Sequence, residues 1–137
     1  CIQSVDRLRI ARRIHNYCIT NHLKRQVMIQ VNTSREPQKG GVMPEELFPF
    51  LESLKEFDRL EIKGLMTIGL QSQNTEKVRE GFALLRELLE EAKGQNLLTN
   101  AATELSMGMS GDLELAILEG ATIIRIGSAI FGEREEK

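Results

Sequence analysis

The feature that most constrains this chain is an alternation. A short apolar run with strand character is followed, again and again, by a longer run whose apolar residues fall at helical spacing. The strand-like runs are residues 2–5, 27–32, 62–68, a run ending near 106, and 122–126. Between them lie helical stripes. Leu8, Ala11, Ile14 and Cys18 form the first, and Leu47, Leu51, Leu54 and Phe57 or Asp58 the second. Val78, Phe82, Leu85, Leu89 and Ala92 form the third, and a shorter helix fills the space before Gly120. Strands this far apart in sequence are not hairpin partners, and a helical crossover is what parallel strands require. The pattern therefore predicts parallel α/β architecture in one domain spanning 1–137. A closed (β/α)8 barrel of ordinary size takes about 250 residues. The 137 residues here hold about five of its eight units.

Local signals place the element ends. Asp6 is a candidate cap for the first helix, and Asn74 or Thr75 for the third, which Gly94 would stop. Pro44 suits a first helical position. Pro49 would cost about 3 kcal/mol inside a helix, so a kink or a late start is expected there. Gly64, inside a strand, signals close packing or a bulge. Residues 35–43, with Pro37, Gly40 and Gly41, read as a mobile loop. Lys39 lies in that loop, without the burial that makes a lysine amine reactive. His15 and His22 read as surface or half-buried histidines, with no third ligand for a metal.

The chemistry concentrates in residues 105–132, LSMGMSGDLELAILEGATIIRIGSAIFG. Ser110 is placed to cap a helix with Asp112 and Glu114 in its first turn and Gly120 just past its end. The run TIIRI then opens onto Gly127 and Ser128. Two neighbouring turns of small residues leave backbone N–H groups free and form an anion-binding concavity. Arg125 sits in an apolar strand, where a charge without a partner is costly. Both an ion pair and a ligand contact satisfy that demand. On residues 27–32 one face is apolar, while Met28, Gln30 and Asn32 make the other unusually polar for a buried strand.

Charge excludes little but points nowhere else. The net charge is −2, which gives no reason to expect nucleic acid or an anionic membrane as partner. No run approaches the ~20 apolar residues of a membrane span. Cys1 and Cys18 lie far apart with no CxxC, which fits a reducing, cytoplasmic setting and offers no metal site.

The motifs LSMGMS and RIGSAIFG, with IKGLMTI at 62–68, VMIQVNTS at 27–34 and Ser4-Val5-Asp6, resemble the YggS-type pyridoxal 5'-phosphate (PLP) homeostasis proteins. The resemblance runs in order through the whole chain. Gly111 stands where that family usually has an acid, Ser128 where threonine is usual, and Arg35 where glycine is common. The resemblance implies the (β/α)8 barrel of the alanine racemase N-terminal type, with about the last five βα units present. It also implies PLP as cofactor, a role in vitamin B6 homeostasis without known turnover, and a monomeric intact protein. The Schiff-base lysine would lie before residue 1. None of Lys24, Lys39, Lys55, Lys63, Lys77, Lys93 or the terminal Lys137 is expected to replace it. Ser110, Gly127 and Ser128 would hold the phosphate, and Arg125 would face the pyridine nitrogen. Met107 and Met66 would either line the ring or fill core. A PLP-dependent racemase or decarboxylase on the same barrel is the alternative implied, and a piece that binds nothing tightly is another. With its sheet edges open, a partial barrel of this kind is expected to self-associate.

Overall fold

The computed structural model describes residues 1–132 of the chain; Lys137 lies outside them. Four strands lie side by side in sequence order, each parallel to the next: β1 (Ile2–Val5), β2 (Arg25–Gln30), β3 (Leu60–Met66) and β4 (Glu104–Ser106). The crossovers are α1 (Leu8–Thr20), α2 (Leu47–Leu54) and α3 (Thr75–Gly94), with α4 (Leu113–Leu118) and the single turn α5 (Ser128–Phe131) beyond β4. Alternation along the strands makes two faces. Val27, Ile29, Leu65 and Leu105 join Leu47, Leu51, Phe82 and Leu85 in one buried cluster beneath the helices. Each such side chain, fully buried, stabilises the fold by about 1.5–3 kcal/mol. The other face carries Met28, Gln30, Met66 and Ser106, also buried but outside that cluster.

The sheet is strongly curled. Gln3 on β1 meets Ser106 on β4, with the hydroxyl 2.6 Å from the amide oxygen. In a flat sheet, strands three neighbours apart are separated by about 14 Å. Side chains can close that gap only where the strands bend around a shared interior, as in a barrel wall. Gly64 tightens the curl. A Cβ there would lie 1.8 Å from the Glu104 carbonyl oxygen, and the β2–β3 register slips between Val27 and Met28 beside it. Close packing and an irregular register thus both occur, as this glycine suggested.

Several expectations are corrected. The run 122–126 is not a strand of the sheet; a single bridge, Ser106 to Ile123, ties it to β4. Ile123 N–H donates to Leu105 and Met107 N–H to Ile123, as in a parallel ladder, but Arg125 N–H then reaches Gly108 instead of Met107. Gly108, at φ 95°, turns the chain and breaks the ladder there. Asp6 does not cap α1. Its carboxylate accepts from Arg7 Nε at 2.9 Å and from the Gly41 amide at 3.1 Å, and Arg7 holds it below the usual carboxylate range. Asn74 does cap α3, through Lys77 N–H, but Gly94 stays helical and Asn96 takes the left-handed turn, at φ 57°. Pro49 falls in the first turn of α2, after a 3-10 turn over Pro44–Glu46, so the late start is what the chain adopts.

Residues 35–43 are tied down rather than loose. Asn32 Nδ2 donates to the Glu36 carbonyl, Asp6 holds Gly41, and Val42 bridges Val31. Lys39 is only 19% exposed, pairs with Glu36, and donates to the Gly69 carbonyl at 2.9 Å. Pro37 and the two glycines of the segment lie within a packed strap. His15 is buried too, packed on Phe57 with ring centroids 5.1 Å apart. Its place on the inner stripe of α1, between Ala11 and Cys18, accounts for that.

Candidate functional site

The site is built on the loops that follow the carboxyl ends of β3 and β4 and the extended run 122–126. Ser110 is not the cap of α4. The helix starts at Leu113 with Asp112 in the cap position, and Asp112 Oδ1 accepts from the Met109 amide at 2.7 Å, closing that turn on itself. Ser110 is thereby left to pin two turns together. Its hydroxyl oxygen accepts from the amides of Gly127 and Ala129, each at 3.3 Å. Both contacts are long for N–H···O bonds. A cavity of about 600 Å³ opens beside them, walled by Gly69, Met109, Ser110, Asp112, Gly127 and Ser128 among others. A Cβ on Gly127 or on Gly111 would meet nothing within 4 Å. The space that a side chain would take at these two glycines is open.

Arg125 lies one layer deeper, on the inner face of the curl. Its Nη1 donates to Ser106 Oγ at 2.6 Å and its Nη2 to the Thr67 carbonyl at 2.8 Å. Among the described residues no carboxylate lies within 4.0 Å of it. Burial pushes its pKa down, and the charge of Asp112 partly offsets this. An arginine stays protonated under such shifts. Of the two ways of satisfying this charge, an internal ion pair is absent among the described residues.

The structure therefore brings Ser110, Gly127 and Ser128 together at one cavity wall and places Arg125 beneath it. Met107 and Met66 are not part of that cavity wall. Met107 is fully buried within the main core cluster, and Met66 is 6% exposed on the inner face. Gln3, Thr67 and Ser106 escaped the sequence reading. Thr67 Oγ1 donates to the Val31 carbonyl at 2.7 Å and bonds the Thr33 hydroxyl at 2.9 Å, fixing the carbonyl that Arg125 uses. The signal for Ser106 was its polarity inside an otherwise apolar run, on the face opposite Leu105.

Parallel strands curled around an interior, with small-residue turns and a half-buried cation at their carboxyl ends, define the wall of a (β/α)-barrel-type domain. The alanine racemase N-terminal domain family matches residues 1–135, and the chain belongs to that family. Within it, the chain is 45% identical over 134 residues to the pyridoxal phosphate homeostasis protein of Aquifex aeolicus (strain VF5), and 42% to that of Pseudomonas aeruginosa PAO1. Those matches cover 98% of this chain but 58% and 56% of the relatives. The chain thus spans somewhat over half the length of its curated relatives. PipY of Synechococcus elongatus PCC7942, solved with PLP bound, superposes with a TM-score of 0.83 at 32% identity, over 96% of this chain and 60% of PipY. Alanine racemase of Clostridium difficile 630, at 17% identity and a TM-score of 0.72 over 97% of this chain and 34% of the racemase, shares the fold. Among the described residues no helix is long and apolar enough to cross a membrane.

Proposed function

We propose that this chain supplies the phosphate and ring-nitrogen contacts of a PLP-binding homeostasis protein. Two features of the chain fit the cofactor. The space over Gly127 is one that a Cβ would occupy and an anion can fill, and Arg125 is a half-buried cation held by neutral groups. The second carries the reading. Withdrawing a guanidinium from water with no carboxylate beside it is costly, and a further acceptor offsets that cost. Ser110, Gly127 and Ser128 hold the phosphate, and Arg125 faces the pyridine nitrogen.

PLP, when bound, supplies an electron-withdrawing ring. Arg125 tempers that property, because it cannot donate its proton fully and so keeps the ring nitrogen unprotonated. Storage and delivery suit this site better than turnover. The one ionisable side chain in the described cavity wall is Asp112, and its Oδ1 is already engaged by the Met109 amide. Curated relatives at 35–45% identity are named homeostasis proteins, whereas the racemase and decarboxylase likenesses fall at or below 20%.

The test is thermal unfolding of the chain with and without PLP or inorganic phosphate. Ligand that binds only the folded state raises the midpoint with concentration. Both ligands should protect the wild type, and Arg125→Gln should lose the extra protection that PLP gives over phosphate while keeping that by phosphate. Equal protection by PLP in both proteins would sink the assignment of Arg125.

A further inference from the structure

The groups that hold Arg125 carry no charge, and they are arranged in a definite order. Arg125 Nη1 donates to the Ser106 hydroxyl, and that hydroxyl in turn donates to Gln3 Oε1, both at 2.6 Å. A serine hydroxyl has one proton and two lone pairs. With its proton committed to Gln3, it presents a lone pair to the guanidinium and cannot swing its own proton toward the cation. Ser106 is fully buried, so no bulk water takes Gln3's place. The second guanidinium nitrogen is fixed by the Thr67 carbonyl, itself on a strand end held by buried hydroxyl bonds. A carboxylate would also orient an arginine, through two parallel bonds, but it would neutralise the charge as it did so. The neutral hydroxyl and amide orient it and leave the charge intact. Asp112 is the charged group that acts on it across the site, and it bonds Met109 instead.

We propose that Ser106 and Gln3 are positioning residues for Arg125: a hydroxyl–amide pair that fixes the guanidinium plane while leaving its charge for a ligand acceptor. The part of this that names the acceptor, a pyridine ring nitrogen, rests on the PLP reading above. The part that concerns the lock does not.

The lock is tested without ligand, by 15N NMR of the arginine Nη groups in the whole chain. A guanidinium held at both Nη atoms rotates slowly and gives separate signals. Separate signals are expected for Arg125 in the wild type, merged signals in Ser106→Ala and in Gln3→Leu, and separate signals again in Ser106→Thr, which restores the hydroxyl. Merged signals in the wild type, or separate ones in Gln3→Leu, overturn the proposal. Gln3 is half-buried at the sheet edge, so its variant serves if Ser106→Ala does not fold. The ligand arm uses 4'-deoxypyridoxine 5'-phosphate, which has no aldehyde, labelled with 15N in the ring. A fixed cation disfavours protonation, so the bound ring nitrogen should titrate at lower pH than the free compound. Gln3→Leu should lose most of that displacement and bind roughly tenfold more weakly, the scale of one hydrogen bond to a charged group. An unchanged titration in Gln3→Leu overturns the positioning role. Failure of the wild type to bind the compound, with slow Arg125 rotation intact, would remove the PLP reading and leave the lock standing.

Discussion

At the scale of single residues, two glycines separate structure from function. Gly108 sits at φ 95°, and a Cβ there would lie 2.6 Å from the Ala116 Cβ. Left-handed strain and overpacking act together, so Gly108→Ala should cost about 2–4 kcal/mol in a denaturant titration. A loss under about 0.5 kcal/mol, the range of ordinary surface changes, would show that α4 yields there. Gly127 has open space around it. At φ −119° the position asks for no left-handed backbone, so Gly127→Val should cost no more than about 1 kcal/mol. Protection by phosphate and by PLP should nevertheless vanish, because the valine fills the space where an anion would meet the amides. Undiminished protection of this variant would move the phosphate site elsewhere. Much of this was legible. Arg125, Gly127 and Ser128 stood out by type and position, since a lone cation in an apolar run and a small-residue turn are local signals. Gln3 did not, and Lys39 was read as unburied, because their partners, Ser106 and Gly69, lie far along the chain.

At the scale of elements, α4 is the interesting case. Six residues are too few to hold a helix by themselves. Glu119, at its carboxyl end, is the wrong charge for that end of the dipole. Two arginines of α3 reverse the balance. Arg79 grips Oε1 through Nε at 3.0 Å and Nη2 at 2.8 Å, and Arg86 Nη1 bonds Oε2 at 2.8 Å and the Glu119 carbonyl at 3.0 Å. Arg79 first, then Arg86, hold the carboxyl below its usual range. A depressed carboxyl stabilises the fold above its unfolded pKa of about 4.3, and that contribution is lost as pH falls toward the folded value. The arginine side chains are 43% and 42% exposed, which discounts the gain for screening. Glu119→Gln should therefore lose about 1–2 kcal/mol at pH 7, with wild type and variant converging below about pH 4. A gap that is the same at pH 7 and pH 3 would mean the ion pairs contribute nothing. The existence of α3 was plain from its stripe of Val78, Phe82, Leu85 and Leu89. The start of α4 was misplaced because Ser110 looks like a cap in sequence and is engaged instead by Gly127 and Ala129.

At the scale of the whole molecule, both ends of the sheet lack a full neighbour among the described residues. β1 is an edge, and past β4 one bridge is all that continues the ladder among the described residues. Large apolar side chains are exposed on both flanks: Ile2 and Leu8 near β1, and Leu118, Ile130 and Phe131 near the far end, the last at 83%. Unpaired edges beside apolar surface promote association. Residues 1–137 alone are expected to sediment as a concentration-dependent mixture, or else to unfold at low temperature. A monodisperse monomer with a cooperative, high-temperature melt would contradict this. The parallel sense was readable from the alternation alone, whereas the sequential strand order followed only from the barrel that the family resemblance implies. The curl was not, since it depends on which side chains meet across the interior.

One such meeting has a consequence for how the chain folds. Gln3 and Ser106 are separated by 103 positions in sequence. Contacts that bridge so much chain form slowly, after the local helices and adjacent strand pairs are in place. The grip on Arg125 is thus completed only when the first strand has closed on the fourth. A chain whose opening strand has not yet docked can carry every residue of the cavity wall and still leave its guanidinium loose. Ligand capture would then report completed folding: in a refolding time course, protection of Arg125 should appear with the slowest phase, after helical signal has already recovered.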